Sequence, residues 1–491
     1  MGIIAGIKAQ ATDRIAVKSG ATEVSYARLS ADVDAAAKQF RSQGIGPGKT
    51  VGIRAGPAAN GHSYANWVAH LAVMKIGAAH VSMTDAAAIK ASLQAGRVDA
   101  VIGHFESLID VPPTVRRIDF HADPAAPAPV GDDSPNDEVS AVRLNLTSGT
   151  TGRPKFIAWD SAMIQRRIEQ VADSSLINAD TRLFPLLHLR TTAGFRYPLA
   201  VWAVGGCVLL PQANKGIDRD REALAPSNFI ICSPPQLKER LAATKGEWPN
   251  REQRTILLLG GRLPAATRAS VLERAASRLL VTYGATETGS IAIGEHDIID
   301  RHPGAVGFLR PGVTVEIVNP KGEPVAAGEP GLVRTRSDLM VTSYDEGGAA
   351  PGSGHFGDGW FYPGDVGRLY EDGLLAIDGR AGDTLNLGGW KVSANDLEAK
   401  IAAIPGIRDV CAVTMQLPEG DMLTFGVVCD DDLDLADLRG RVHSMLSKSR
   451  RFHVIRLPSI PRNAMGKIPR ALIASQLAAL YGAKQKSIAN A

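Results

Sequence analysis

Short apolar runs rich in β-forming residues recur along this chain, at Val51 to Arg54, Ala100 to Gly103, Cys207 to Leu210, Phe229 to Cys232, Ile256 to Leu259 and Leu279 to Thr282. Helical patterns separate them, and strand–helix alternation of this kind predicts parallel or mixed sheets covered by helices. Val142 to Leu146 alternates as a strand does, and Ser161 to Ala172 has a helical pattern. Val33, Ala36, Ala37 and Phe40 fall at helical spacing behind Ser30, which suits a cap. From about Gly307 the texture changes to short strands and turns, such as Val313 to Val318 and Gly331 to Thr335, which predicts a small β subdomain. After Arg380 comes a compact α+β region: helix Asn395 to Ile404, strands Val410 to Met415 and Phe425 to Cys429, helix Leu435 to Ser447 and strand His453 to Leu457. Residues 122–140 and 347–359 read as loops.

At 491 residues and 45% hydrophobic content, the chain can bury more than one core, so two or three domains are expected. Lys plus Arg exceeds Asp plus Glu by only 3, which argues against nucleic acid or a membrane surface as partner. No apolar stretch approaches the length of a membrane span, and the N-terminus lacks a signal pattern, so a soluble cytoplasmic protein is expected. Cys207, Cys232, Cys411 and Cys429 are scattered inside apolar runs without metal spacing, as buried reduced thiols are. The acidic run Asp430 to Asp434 precedes a helix, where carboxylates suit the positive end of the dipole.

Candidate chemistry starts at Thr147-Ser148-Gly149-Thr150-Thr151-Gly152-Arg153-Pro154-Lys155. Its glycines let backbone N–H groups crowd an anion, its hydroxyls add donors and Lys155 adds a mobile positive charge, so the run reads as a phosphate loop. It is not the common P-loop, which ends Gly-Lys-Ser/Thr. Gly44 to Thr50 has that ending but lacks the first glycine, and reads instead as a helix end before a strand. Tyr283 to Gly289 follows an apolar strand and offers an aromatic face for a base, a hydroxyl at Thr286 for a phosphate and a carboxylate at Glu287 for Mg²⁺. Tyr362 to Gly367 places Asp365 where it could accept ribose hydroxyls, and Arg380 follows. Pro461 to Arg470 carries Lys467 beside Gly466. His188 closes an apolar run, where ligands of α/β sheets gather, and from the residues alone it serves equally as a core histidine or a pocket wall.

In this order, the four segments resemble the adenylate-forming superfamily of acyl-CoA and aryl-CoA ligases and peptide-synthetase adenylation domains, and the likeness covers nearly the whole chain. It implies an α/β fold with a large N-terminal domain, residues 1–380, of two α/β subdomains plus a distorted β-barrel, and a small mobile α+β C-terminal domain, residues 381–491. By the same resemblance, Thr147, Ser148, Gly149, Thr150, Thr151, Gly152 and Lys155 clamp the pyrophosphate of ATP. Tyr283, Asp365 and Arg380 hold the nucleoside, Thr286 contacts the α-phosphate and Glu287 holds Mg²⁺. Lys467 bridges the substrate carboxylate and the α-phosphate.

The acid pocket that the resemblance implies comprises His188, Gly194, Phe195, Gly260, Gly261 and Ala285, with the alternative that Gly260 and Gly261 merely end a strand. Gly388 and Gly389 leave room for a pantetheine arm and resemble the segment of CoA ligases, which favours CoA over a carrier protein as thiol acceptor. Leu189 to Phe195 has no acidic residue with which to hold an α-ammonium group, so an aryl or short acyl acid is expected rather than an amino acid. Arg190 and Arg196 offer an alternative service to a second acidic group. A carrier protein and a homodimer stay open as partners. Two positions depart from the family pattern: the hinge falls on Gly382 or Asp383, and Pro363 stands where many relatives have threonine.

Overall fold

The computed structural model describes residues 2–10, 13–54, 59–83, 89–90, 92–93, 96–104, 111–129, 138–147, 155–173, 176–211, 224–261, 263, 265–298, 302, 304–344, 355–381, 384–387, 390–417, 420–446, 452–462 and 468–489. The alternation of strands and helices produces two large sheets. In the six-stranded sheet, Arg116–Asp119, Ala100–Gly103, Thr50–Arg54, Ala79–Ser82 and Val142–Thr147 run parallel, and Lys155–Asp160 closes the edge antiparallel. The second sheet has a parallel half, Ile15–Ser19, Cys207–Leu210, Arg182–Pro185, Phe229–Cys232, Thr255–Leu259 and Arg278–Ala285. It continues without a break into antiparallel strands Gly289–Glu295, Ala305–Leu309, Leu374–Arg380, Asp365–Leu369 and Gly331–Ser337. The β-rich texture after Gly307 is this antiparallel half. The architecture is therefore the mixed α/β one expected.

Helix Tyr26–Ser42 starts earlier than the pattern suggests: Ser25, not Ser30, is the cap and accepts the backbone N–H of Arg28. Ser30 lies inside the helix, because the apolar face begins already at Tyr26 and Leu29, both fully buried. The helix ends before Gly44, which takes a positive φ of 71°, so the Gly44 to Thr50 segment is a helix end leading into a strand. Helix Tyr64–Lys75 gives no amphipathic signal, because every one of its residues is buried. Asp434 caps helix Leu435–Met445 by accepting the N–H of Ala436, so the acidic run ends at a cap. All four cysteines are free thiols, and burial pushes Cys411 up to about 11 and Cys207 up to about 12.

Residues from 385 onward form two apolar clusters of their own, around Phe425 and around Met415. They surround a three-stranded sheet in which Ile407–Leu417 pairs antiparallel and Phe452–Arg456 parallel with Gly420–Cys429. Lys238 Nζ donates to the Arg408 carbonyl at 3.3 Å and joins this unit to the helix Pro234–Ala243. Among the described residues no helix is long and apolar enough to cross a membrane.

Between the two large sheets lie three fully buried histidines, His62, His70 and His80, together with fully buried Arg143. His62 Nε2 meets the Leu187 carbonyl at 2.7 Å, and His70 Nε2 meets Ser82 Oγ at 3.0 Å. Arg143 stacks on the Phe195 ring at 3.6 Å and donates to Asn145 and the Leu189 carbonyl. Burial, helped for His70 and His80 by the Arg143 charge, holds all three rings neutral, and His62 is pulled down to about 3. A native histidine that resists protonation contributes full stability above its unfolded pKa of about 6.5 and loses it as the pH falls below that value. Each ring costs about 1.4 kcal/mol per pH unit in that range. The urea midpoint is therefore expected to drop steeply between pH 7 and pH 5.5; a level midpoint across that window contradicts neutral burial.

Candidate active site

The hairpin of Arg278–Ala285 and Gly289–Glu295 stands at the seam between the parallel and antiparallel halves of the large sheet. Gly284 is needed there, since a Cβ at this position would lie 2.1 Å from the Gly289 carbonyl oxygen, and Gly289 itself takes a φ of 77°. The close approach folds Thr286, Glu287 and Thr288 into a tight turn at the end of the strand. Arg167, buried in helix Ser161–Ala172, fixes the turn from behind: it donates to the carbonyls of Thr286 at 2.8 Å, Glu287 at 3.0 Å and Leu339. Val341 N–H adds a bond to the Glu287 carbonyl at 2.9 Å. The Arg167 guanidinium lies over Trp159 at 4.1 Å, and burial, then Arg196, lowers its pKa to about 9 while Glu287 pulls it up.

With its backbone held in this way, Glu287 turns its carboxylate to the Tyr344 hydroxyl, which donates at 2.9 Å. The ring of this tyrosine receives Lys155, whose ammonium sits 4.5 Å from the centroid. Lys155 opens the strand Lys155–Asp160 opposite Thr147, so the glycine-hydroxyl run is the connection of an antiparallel strand pair, with one further strand before the helix Ser161–Ala172. Ser148, Gly149, Thr150, Thr151 and Gly152 lie outside the described residues, as do Gly382, Asp383, Gly388, Gly389 and Lys467.

A second group forms around Asp365, which is 6% exposed. Its Oδ2 accepts the Tyr283 hydroxyl at 2.5 Å and its Oδ1 meets Arg380 Nε at 3.1 Å. Asp365 and Arg380 are direct cross-strand partners, and Arg380 also donates to the Pro363 carbonyl at 3.3 Å. Burial first, and the Asp365 charge next, push the Tyr283 phenol well above its ordinary value, which keeps it a donor to that carboxylate. Residues 283, 365 and 380, far apart in sequence, thus share one cluster, and Tyr283 leads within four residues to Glu287. Among the described residues no three His, Cys, Asp or Glu side chains gather as a metal cage. Glu287 is a single hard oxygen donor, which fits Mg²⁺ held jointly by a protein carboxylate and substrate phosphates.

The residues expected to line an acid pocket divide. His188 lies on the turn before helix Thr192–Ala203, its Nδ1 accepting the Arg190 N–H at 3.3 Å and its carbonyl accepting the Thr191 hydroxyl at 2.7 Å. Gly194 has a packing reason, because a Cβ there would lie 2.2 Å from the His188 carbonyl oxygen. Phe195 is fully buried, stacked on Trp67 at 5.6 Å beneath Arg143, so the core alone accounts for it. Gly260, with a φ of 85°, follows strand Thr255–Leu259, and Gly261 faces Pro234. Ala285 ends its strand opposite Gly289. Sequence reasoning did not single out Arg167, Tyr344, Arg143 or the buried histidines; isolated side chains on a helix or loop carry no spacing that marks them.

The chain belongs to the family described as AMP-binding enzyme, whose model matches residues 6–345. A relative is the 2-hydroxy-7-methoxy-5-methyl-1-naphthoate–CoA ligase of Streptomyces carzinostaticus, 27% identical over 348 residues, which are 67% of this chain and 61% of that protein. The match thus spans less than two thirds of that relative's length. The salicyl-AMP ligase / salicyl-S-ArCP synthetase of Mycobacterium tuberculosis is 26% identical over 516 residues, covering 96% of this chain and 89% of that one. Among solved structures, ATP-bound MatB from Rhodopseudomonas palustris shares the fold, with a TM-score of 0.80 at 22% identity over 97% of this chain and 99% of that one.

Proposed function

We propose that this protein is an AMP-forming carboxylate–CoA ligase acting on an aryl or short acyl acid without an α-amino group. The observation that carries the reading is the convergence of Tyr283, Asp365 and Arg380 in one cluster with the fixed Thr286–Glu287 turn beside it. Attack of a carboxylate on the α-phosphate of ATP brings two anions together, so positive charge and oriented donors must screen the approach. In this reading Asp365 and Arg380 take the ribose hydroxyls, Thr286 donates to the α-phosphate and Lys467 spans the two reacting anions. Glu287 holds Mg²⁺, which supplies charge neutralisation on the phosphates when bound. Lys155 and the glycine-hydroxyl run from Thr147 to Gly152 hold the departing pyrophosphate. The mixed anhydride so formed then loses AMP to an attacking thiol.

Residues 1–380 serve as the nucleotide-binding body and 381–491 as a terminal domain that presents Lys467, turning at Gly382 or Asp383. CoA is the favoured thiol because the Gly388-Gly389 pair resembles the corresponding segment of CoA ligases, and because the naphthoate relative is named as a CoA ligase. A second reading, loading of a carrier protein, is favoured by the salicyl-AMP ligase / salicyl-S-ArCP synthetase, whose match extends over 96% of this chain. Pyrophosphate release is to be measured across aryl, short-chain, long-chain and dicarboxylic acids, with CoA, with a holo carrier protein and with neither. The expected result is turnover with at least one non-amino acid that requires CoA. Turnover on the carrier alone selects the second reading, and silence with every acid removes both.

A further inference from the structure

Beside the Thr286–Glu287 turn three arginines come together: Arg167 and Arg196 from adjacent packed helices and Arg310 from the end of strand Ala305–Leu309. Among the described residues none of the three forms an ion pair, although Arg167 is 1% and Arg196 5% exposed. Arg167 spends its terminal nitrogens on three carbonyls, and Arg310 donates to the Gln170 carbonyl at 2.5 Å. Arg196 differs, because it makes no hydrogen bond to a carboxylate or carbonyl among the described residues, and its Nε is buried without a partner. Arg310 Nε is buried unpaired as well. Their polar neighbour is the Tyr197 phenol, which burial holds above its ordinary value, so that it supplies no negative charge. Both guanidiniums line a small, partly open recess with about 10 Å³ of water-sized free space, whose other walls include Gln170, Ser290 and Ile293.

Guanidinium groups taken from water without a counter-charge are unfavourable, and a planar fork of donors matches a carboxylate or phosphate oxygen pair. The recess is far too small for a nucleotide, so only a small group entering from its open side reaches both guanidiniums. It adjoins the reactive segment: a Cβ on Gly289 would lie 3.4 Å from Arg196 Nη1, and Gln170 donates to the Ser290 carbonyl at 3.3 Å. We propose that Arg196 and Arg310 form a site for one small oxyanion, carboxylate or phosphate in size, beside the Thr286–Ser290 segment. Two sources share this chemistry, a second acidic group on the substrate and a free anion. The first source rests on the ligase reading above; the site itself does not.

The test has two arms, each run on full-length wild type, Arg196→Gln, Arg310→Gln and the charge-retaining Arg196→Lys. In the first, melting is followed with added sodium phosphate or sodium acetate against sodium chloride at equal ionic strength. If the anion is free, either salt raises the wild-type midpoint by about 2 °C or more, and both glutamine variants lose that shift while Arg196→Lys keeps most of it. In the second, acid-dependent ATP–pyrophosphate exchange compares matched pairs, butyrate with succinate and benzoate with isophthalate. If the anion is part of the substrate, wild type favours one diacid at least tenfold in kcat/KM, and Arg196→Gln abolishes that preference with the matched monoacid unchanged. Absence of both responses, or their survival in both glutamine variants, overturns the site. Absence of exchange with every acid overturns the ligase reading alone and leaves the melting arm to decide.

Discussion

Lys467→Ala is expected to lower acid-dependent ATP–pyrophosphate exchange by about 100-fold or more, while thioester formation from supplied acyl-adenylate continues at close to the wild-type rate. The first figure corresponds to about 3 kcal/mol of barrier, the scale of one preorganised donor lost from a developing negative charge. The asymmetry is the informative part. A lysine that screens carboxylate against phosphate has its task before the anhydride exists; once AMP has become a leaving group, the incoming thiol needs no such screen. Exchange at the wild-type rate in this variant removes Lys467 from the first step. Equal loss of both steps means that the substitution damages the protein rather than one reaction.

The second large effect falls on Asp365. In Asp365→Asn the side chain keeps its size, but the charge that pairs with Arg380 and receives the Tyr283 hydroxyl is gone. Loss of a charge-assisted acceptor is worth about 1.5–3 kcal/mol, so KM for ATP is expected to rise roughly tenfold or more. Tyr283→Phe provides the comparison. It removes one donor to the carboxylate and leaves the acceptor oxygens, so its KM for ATP is expected to rise less. Steady-state kinetics at saturating acid measures both, and an unchanged KM in Asp365→Asn refutes the ribose role.

The parts of this architecture that the sequence reveals are those with a local period or a local reason. Strands such as Phe229–Cys232 and Thr255–Leu259 stand out as apolar runs, and the β-rich stretch after Gly307 shows its turns. Helix Tyr64–Lys75 does not stand out, since burial on all sides erases the contrast that periodicity depends on. Among the candidate-site residues, Tyr283, Glu287, Asp365 and Arg380 are legible because each sits in or just after a short segment dense in glycines and polar groups at the end of an apolar strand or turn. Arg167 and Tyr344 are not: one is an ordinary charged position in an amphipathic helix, and the other is a lone aromatic on a loop. Their importance comes from carbonyls and a carboxylate brought from more than fifty residues away, a relation that only the folded chain contains. Ser30 shows the converse error, in which a good capping residue is outcompeted by Ser25 because the buried face starts sooner.

The strand that carries Arg380 is also the last one of the great sheet before the chain departs, and Ala381 is pinned to Gly364 by a backbone bond of 2.8 Å. The chain therefore leaves the sheet directly beside the Asp365–Arg380 pair. A substitution that breaks this pair disturbs, in the same stroke, the last anchored point from which residues 384–489 set out.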